Sequence, residues 1–292
     1  MKTKLILLTL MSAFSLQPSA LLQAATTINL SNKYAYAANL GWLNAYADSA
    51  NGAVIGDNVC SGFIYAANVG WINLGGGSPT NGIQYQNLSA SDFGVNHDGL
   101  GNLRGYAYGA NIGWVNLETN GAPRVDLTTG KFSGSIYSAN CGWISLSNAF
   151  AFVQTDTIAA GADTDGDGIA DAWELTHTNT LTAFTASSDT DGDGVSDKNE
   201  YFADTNPRDA NDRLVITDYL ITPSGTLATF TWKSRPTRAY YLQKNLDLAT
   251  SLWFDSGLGL IAPDGSLTTR MFADTNTPMR FYRVRAVRPL AP

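Results

Sequence analysis

Tyr65-Ala66-Ala67-Asn68-Val69-Gly70-Trp71 is the stretch that decides how the first half of this chain folds, because it returns three more times. The other copies are Tyr36-Ala-Ala-Asn-Leu-Gly-Trp42, Tyr108-Gly-Ala-Asn-Ile-Gly-Trp114 and Tyr137-Ser-Ala-Asn-Cys-Gly-Trp143, with tryptophans 29, 43 and 29 residues apart. That spacing describes a duplicated pair with a longer insert between its halves. Within each copy, Ala-Asn-x-Gly is turn chemistry, since Asn and Gly both tolerate positive φ. Either side of it the residues alternate. Phe63, Tyr65, Trp71 and Asn73 share one parity, and Ile64, Ile72 and Leu74 share the other. Each copy therefore reads as a β-hairpin in which Tyr65 faces Trp71, or its equivalents, across the strands. The third copy repeats the pattern with Tyr106, Tyr108 and Trp114 against Val115 and Leu117.

Two roles compete for these rings. A Gly-Trp pair fixed in every repeat suits packing between repeats, and that is the expectation taken here. The rival is an exposed aromatic face that stacks on the flat faces of sugars. The pattern leaves barrel, sandwich and short propeller equally open.

Working outward, the chain of 292 residues is long enough for two or three domains. Lys2 and Lys4, the apolar run Leu5 to Leu16 and the small residues Ala20 to Ala25 form an export signal over 1–25. The run is too short to cross a bilayer, and no later stretch reaches membrane length. Cys60 and Cys141 are the only cysteines; they could pair in an oxidising compartment, stabilising by about 4 kcal/mol in a chain-entropy model. Two distant cysteines and two histidines, His97 and His177, do not make a zinc site.

Charge is most informative when divided along the chain. Residues 1–155 carry six basic and six acidic side chains. Residues 156–212 carry two basic and fourteen acidic ones, a net −12, and residues 213–292 carry ten basic and five acidic ones, a net +5. A block at −12 repels itself unless a cation neutralises it, which argues for a metal and against nucleic acid as its partner.

Two twelve-residue loops inside that block supply the ligands. The first runs Asp163-Thr-Asp165-Gly-Asp167-Gly-Ile169-Ala-Asp171-Ala-Trp-Glu174, and the second Asp189-Thr-Asp191-Gly-Asp193-Gly-Val195-Ser-Asp197-Lys-Asn-Glu200. Calcium takes six to eight oxygens at flexible angles, and such loops deliver them from positions one, three, five, seven, nine and twelve. The expected ligands are Asp163, Asp165, Asp167, the Ile169 carbonyl, Asp171 (through water) and Glu174. In the second loop they are Asp189, Asp191, Asp193, the Val195 carbonyl, Asp197 (again through water) and Glu200. Gly168 and Gly194 at position six permit the sharp turn. Magnesium, which demands a stricter octahedron, fits less well.

The loops lack the incoming helix of an EF-hand, and only Ala172 to Thr176 looks helical. With Ala203-Asp-Thr-Asn-Pro207 downstream, residues 163–210 resemble thrombospondin type 3 repeats of secreted bacterial proteins. That resemblance implies calcium-dependent structural modules rather than enzymes. Dockerin modules, whose loops usually end in Asp, are the second choice. The hairpins of residues 30–150 are similar to the Gly-Tyr-Ala…Asn-Ile-Gly-Trp repeats of secreted bacterial proteins, which brings no known chemistry.

Residues 213–288 alternate cleanly, with Ala228, Phe230 and Trp232 on one side and Thr229 and Thr231 on the other. Six strands are expected, at 213–222, 227–234, 239–245, 253–261, 267–273 and 281–287, making a small β-sandwich. Tyr241-Leu-Gln-Lys-Asn-Leu-Asp247 and Arg280-Phe-Tyr-Arg-Val-Arg285 resemble an immunoglobulin- or fibronectin-like domain. The basic last strand is expected to be a solvated outer face.

The expectation is a mainly β chain: signal at 1–25, repeat-built all-β domain at 26–155, calcium-loop connector with little helix at 156–210, sandwich at 211–292. No Gly-x-Ser-x-Gly, phosphate loop or zinc signature appears, and the acids concentrate in the calcium loops, so catalysis is not expected. The functional expectation is an exported, calcium-stiffened interaction protein of adhesion type. A glycan or an anionic surface polymer is the candidate partner beyond calcium.

Overall fold

The computed structural model describes residues 26–222, 227–249, 252–274 and 281–291, so the expected signal sequence lies outside them. The chain is mainly β, as expected. The four hairpins are β1 (Ile28–Ala37) with β2 (Gly41–Asn44), β3 (Cys60–Ala66) with β4 (Gly70–Gly76), β5 (Leu103–Gly109) with β6 (Gly113–Asn116), and β7 (Ser135–Ser138) with β8 (Gly142–Ser145). Each strand pairs antiparallel with the next, and β8 returns to β1 through Ala37↔Ile144, so the eight strands close into an up-and-down barrel.

The register between hairpins explains the repeat. Ala37 lies opposite Ile144, Ala66 opposite Leu43, Gly109 opposite Ile72, and Ser138 opposite Val115. One small residue thus meets one branched residue at every junction, and all of them are buried. Small-against-large alternation is what the narrow interior of an eight-stranded barrel requires. The interior is a filled core, with only about 40 Å³ left empty among Leu43, Ile64, Ile144 and their neighbours.

The hairpin tips carry a second regularity. Asn68 donates its side-chain amide to the Leu40 carbonyl at 2.9 Å, Asn111 to Val69 at 3.1 Å, and Asn140 to Ile112 at 3.1 Å. Asn39 completes the ring by donating to Cys141 at 3.1 Å. Positive φ is taken by the glycine two residues on, from +68° at Gly113 to +79° at Gly70, and by none of the four asparagines. The asparagine is therefore there for its amide, which ties each hairpin to its predecessor.

Tyr and Trp do face each other across each hairpin, as in Tyr65↔Trp71 and Tyr137↔Trp143. Their ring centroids lie 4.9 to 5.1 Å apart in all four copies. The expectation that they pack between repeats is corrected. The four tryptophans are 45 to 50% exposed on the outside of the barrel, and their ring contacts include the Tyr of their own hairpin. Eight Tyr and Trp rings would overfill an eight-stranded interior, so the parity bearing Ala, Leu, Ile and Val turns inward.

Cys60 and Cys141 are buried, separate thiols. Cys60 begins β3 and Cys141 sits at a hairpin tip, so the length of a strand separates their levels. Burial pushes the Cys60 thiol up to about 12.

After the connector come β9 (Ile216–Ile221), β10 (Leu227–Lys233), β11 (Ala239–Asn245), β12 (Phe254–Asp255), β13 (Leu267–Ala273) and β14 (Phe281–Val287). They form two three-stranded sheets, β9-β10-β13 and β12-β11-β14, which share a core of Phe230, Trp232, Tyr240, Leu242 and Phe272. The expected parity of Ala228, Phe230 and Trp232 holds, all three being buried. The strand expected at 253–261 shrinks to two residues because Asp255 turns the chain, accepting from the backbone N–H groups of Gly257 and Gly259. Arg283 and Arg285 lie exposed on the last strand. The chain then returns to the barrel. Arg288 pairs with Asp57 at 2.6 Å, and Leu290 packs on the barrel core. No helix among the described residues is long and apolar enough to cross a membrane.

Candidate metal centres

Each acidic loop wraps its first aspartate. Asp163 accepts from the backbone N–H groups of Gly166 (2.8 Å) and Gly168 (3.0 Å), and Asp189 accepts from those of Gly192 and Gly194 (both 2.9 Å). That wrapping needs left-handed backbone at position four as well as position six, with φ of 77° and 88° in the first loop and 76° and 90° in the second. Only position six was singled out from the sequence. The result is convergence: one carboxylate oxygen from each of Asp163, Asp165 and Asp167 lies within 4.8 Å of the others, and so do those of Asp189, Asp191 and Asp193.

The position-twelve glutamates lie outside these three-carboxylate clusters but near enough to feel the aspartates' charge. They lie in α1 (Asp171–His177) and α2 (Asp197–Ala203), the second of which the sequence reading had not resolved. Glu174 and Glu200 are both 0% exposed. Neither oxygen of Glu174 has a hydrogen-bond partner, nor has Oε2 of Glu200, while Oε1 of Glu200 accepts from the Thr205 hydroxyl at 3.1 Å. One buried oxygen each of Asp167, Asp191 and Asp193 is likewise unpartnered. Sealed carboxylate oxygens without donors are costly and rare unless a cation meets them. Burial, with the neighbouring aspartates adding to it, pushes Glu174 up to about 7. Burial does the same to Glu200, against the Thr205 hydrogen bond and with the loop's aspartates adding to it. These residues fit a hard divalent cation with oxygen ligands, and calcium tolerates the irregular geometry.

Position nine carries hydrogen bonds within each loop. Asp171 accepts from the backbone N–H (2.7 Å) and hydroxyl (2.5 Å) of Thr164. Asp197 accepts from the same groups of Thr190, at 2.9 and 2.8 Å, and from the Ser188 hydroxyl at 2.6 Å. Neither joins a three-carboxylate cluster; both lock the start of the loop to the start of the helix. The Thr shared by position two of both loops was the available signal. Ile169 and Val195 at position seven have apolar side chains, so only their carbonyls can serve an ion. Ile169 is buried in a small core with Trp173, Phe184 and Tyr201 that backs the first loop.

Cations from downstream steady both loops. Lys198 Nζ donates to the Asp167 carbonyl at 2.7 Å, and Arg213 Nη1 to the Asp193 carbonyl at 2.9 Å. In each loop the carbonyl held is that of position five.

A family model described as Bacterial TSP3 repeat matches residues 163–180 and 189–210. No curated protein and no solved structure matches the chain. The two segments are thus similar to thrombospondin type 3 repeats, which bind calcium, and their converging aspartate oxygens suit a metal ion.

Proposed function

We propose that the protein is an exported, non-catalytic interaction protein whose connector is set by two calcium ions, one per acidic loop. The observation that carries this reading is the pair of fully buried, donor-poor glutamates, Glu174 and Glu200, within electrostatic reach of two clusters of converging aspartates. Without calcium the loops repel internally. With it, the connector fixes the sheets of the C-terminal part against the barrel, an arrangement the Arg288–Asp57 pair and Leu290 already begin. Extracellular sites of this type hold calcium at roughly 10⁻⁴ to 10⁻³ M, so external calcium stabilises by about 1 kcal/mol per site. Calorimetric titration of the full chain with calcium, beside a Glu174→Gln/Glu200→Gln variant, tests this. Two saturable sites lost in the variant are expected, and no binding at millimolar calcium would reduce the block to an acidic linker.

A second reading concerns the partner. The exposed Tyr–Trp pairs recur around the barrel, with Asn44, Asn73 and Asn116 two residues beyond three of the tryptophans. Flat rings beside amides suit an uncharged glycan. Neutral oligosaccharide arrays should show binding that falls in a Trp71→Ala/Trp114→Ala variant; a blank array with the intact protein removes this reading.

A further inference from the structure

A cavity of about 310 Å³ opens where the connector meets the C-terminal sheets. Its floor is Thr205, Ser234 and Tyr240, all buried. Its rim carries Arg213, Lys233 and Arg235 against a single carboxylate, Asp212. Arg235 Nη2 pairs with both oxygens of Asp212, at 2.5 Å each. Lys233 and Arg213 spend a donor each on neutral carbonyls, those of Asn211 and Asp193. Both cations keep further N–H groups, and Arg235 keeps Nε and Nη1. Three convergent cations with one acid between them, around a hollow at the small end of the range for ligand sites, form a receptor for negative charge. Mere neutralisation of the acidic connector would place Arg213 and Lys233 on carboxylates, and it does not.

We infer that this cavity binds an oxyanion group, a carboxylate, sulfate or phosphate, and that calcium in the second loop strengthens that binding. The coupling rests on the calcium reading above; the site itself does not. Two bonds carry the coupling. Thr205 in the floor donates to Glu200, the position-twelve residue of the second loop, and Arg213 on the rim holds the carbonyl of Asp193 in that loop. Ordering the loop therefore orders one wall of the cavity. Two calcium ions also bring four positive charges to a connector whose acids otherwise compete with the incoming anion.

The test is chemical-shift titration of the full chain, ¹⁵N-labelled, with inorganic sulfate kept below the solubility of its calcium salt, using chloride as control. A second arm uses galactose 6-sulfate against galactose. Saturable shifts at Lys233, Ser234 and Ser266 are expected, weakened about tenfold in Lys233→Gln. Tighter binding of the sugar sulfate than of free sulfate assigns the site to an anionic glycan, and the reverse assigns it to a free anion. No saturable shift, or shifts unchanged in Lys233→Gln, overturns the site. Calcium binding is followed separately through the amides of Gly166 and Gly192. Sulfate affinity should rise several-fold once those amides report calcium. If they report it and sulfate affinity stays constant, the coupling is overturned while the site stands. If they never respond, the calcium reading fails and the anion site is still judged on its own shifts.

Discussion

Lys198, on the helix that leaves the second acidic loop, holds the main-chain carbonyl of Asp167 in the first, with 2.7 Å between Nζ and oxygen. The helix of the second loop is thereby tied directly to the first loop. That tie should make calcium binding cooperative, and in Lys198→Met calcium should still fill two sites but with independent isotherms. Titration followed separately at Gly166 and Gly192 measures this; a Hill slope equal to that of the unaltered protein would refute the coupling.

Replacing Glu174 and Glu200 by Gln should have opposite effects in the two calcium states. Without calcium, the buried carboxylates are without sufficient donors and sit beside like charge, so the amides should stabilise by about 1 kcal/mol per site or more. With calcium, the variant should gain no stability from the ion. Crossing melting curves, with the variant higher in chelator and lower in millimolar calcium, are the expected signature.

The same glutamates set a pH dependence. Burial raises both from an ordinary 4.5 to about 7 in the folded, metal-free protein. A raised carboxyl favours the folded state while protonated, so metal-free stability should fall as pH rises from about 4.5 to about 7. Calcium binds only the ionised form, so its affinity should rise over the same window. Melting at about pH 5 and about pH 8, with and without calcium, checks both signs.

The ring of tip asparagines predicts where the barrel is weakest. Asn39 donates to a residue 102 positions away, and that bond lies at the seam. Asn39→Ala should cost about 1 kcal/mol by leaving the Cys141 carbonyl short of a partner. Gly70→Ala should cost at least as much, because φ there is +79°. Chemical denaturation read from tryptophan fluorescence measures both.

Much of this was legible in the residues, and the rest failed for identifiable reasons. The cross-strand meeting of Tyr65 with Trp71 follows from alternation about a tight turn, which is local. Closure of the barrel depends on which residue of one hairpin meets which of the next, such as Leu43 with Ala66, and no local pattern encodes that. The side of the aromatics went the wrong way because parity separates two faces without saying which is inside; the bore of eight strands decides it. At the metal loops, Asp163 to Glu174 and its copy could be read position by position because the chemistry is sequential. The Thr164–Asp171 lock, the Arg213 contact and the burial of Glu200 depend on how the helices fold back, and no spacing carries them.

The asparagine ring makes the barrel a structure that counts. Each hairpin caps the one before it, and the fourth hands its carbonyl to the first, so the circle closes on four members. A chain that lost one copy would leave two raw strand edges and one amide without an acceptor, and such edges seek partners. A chain bearing only two copies would carry half a circle, completed by a second molecule of itself.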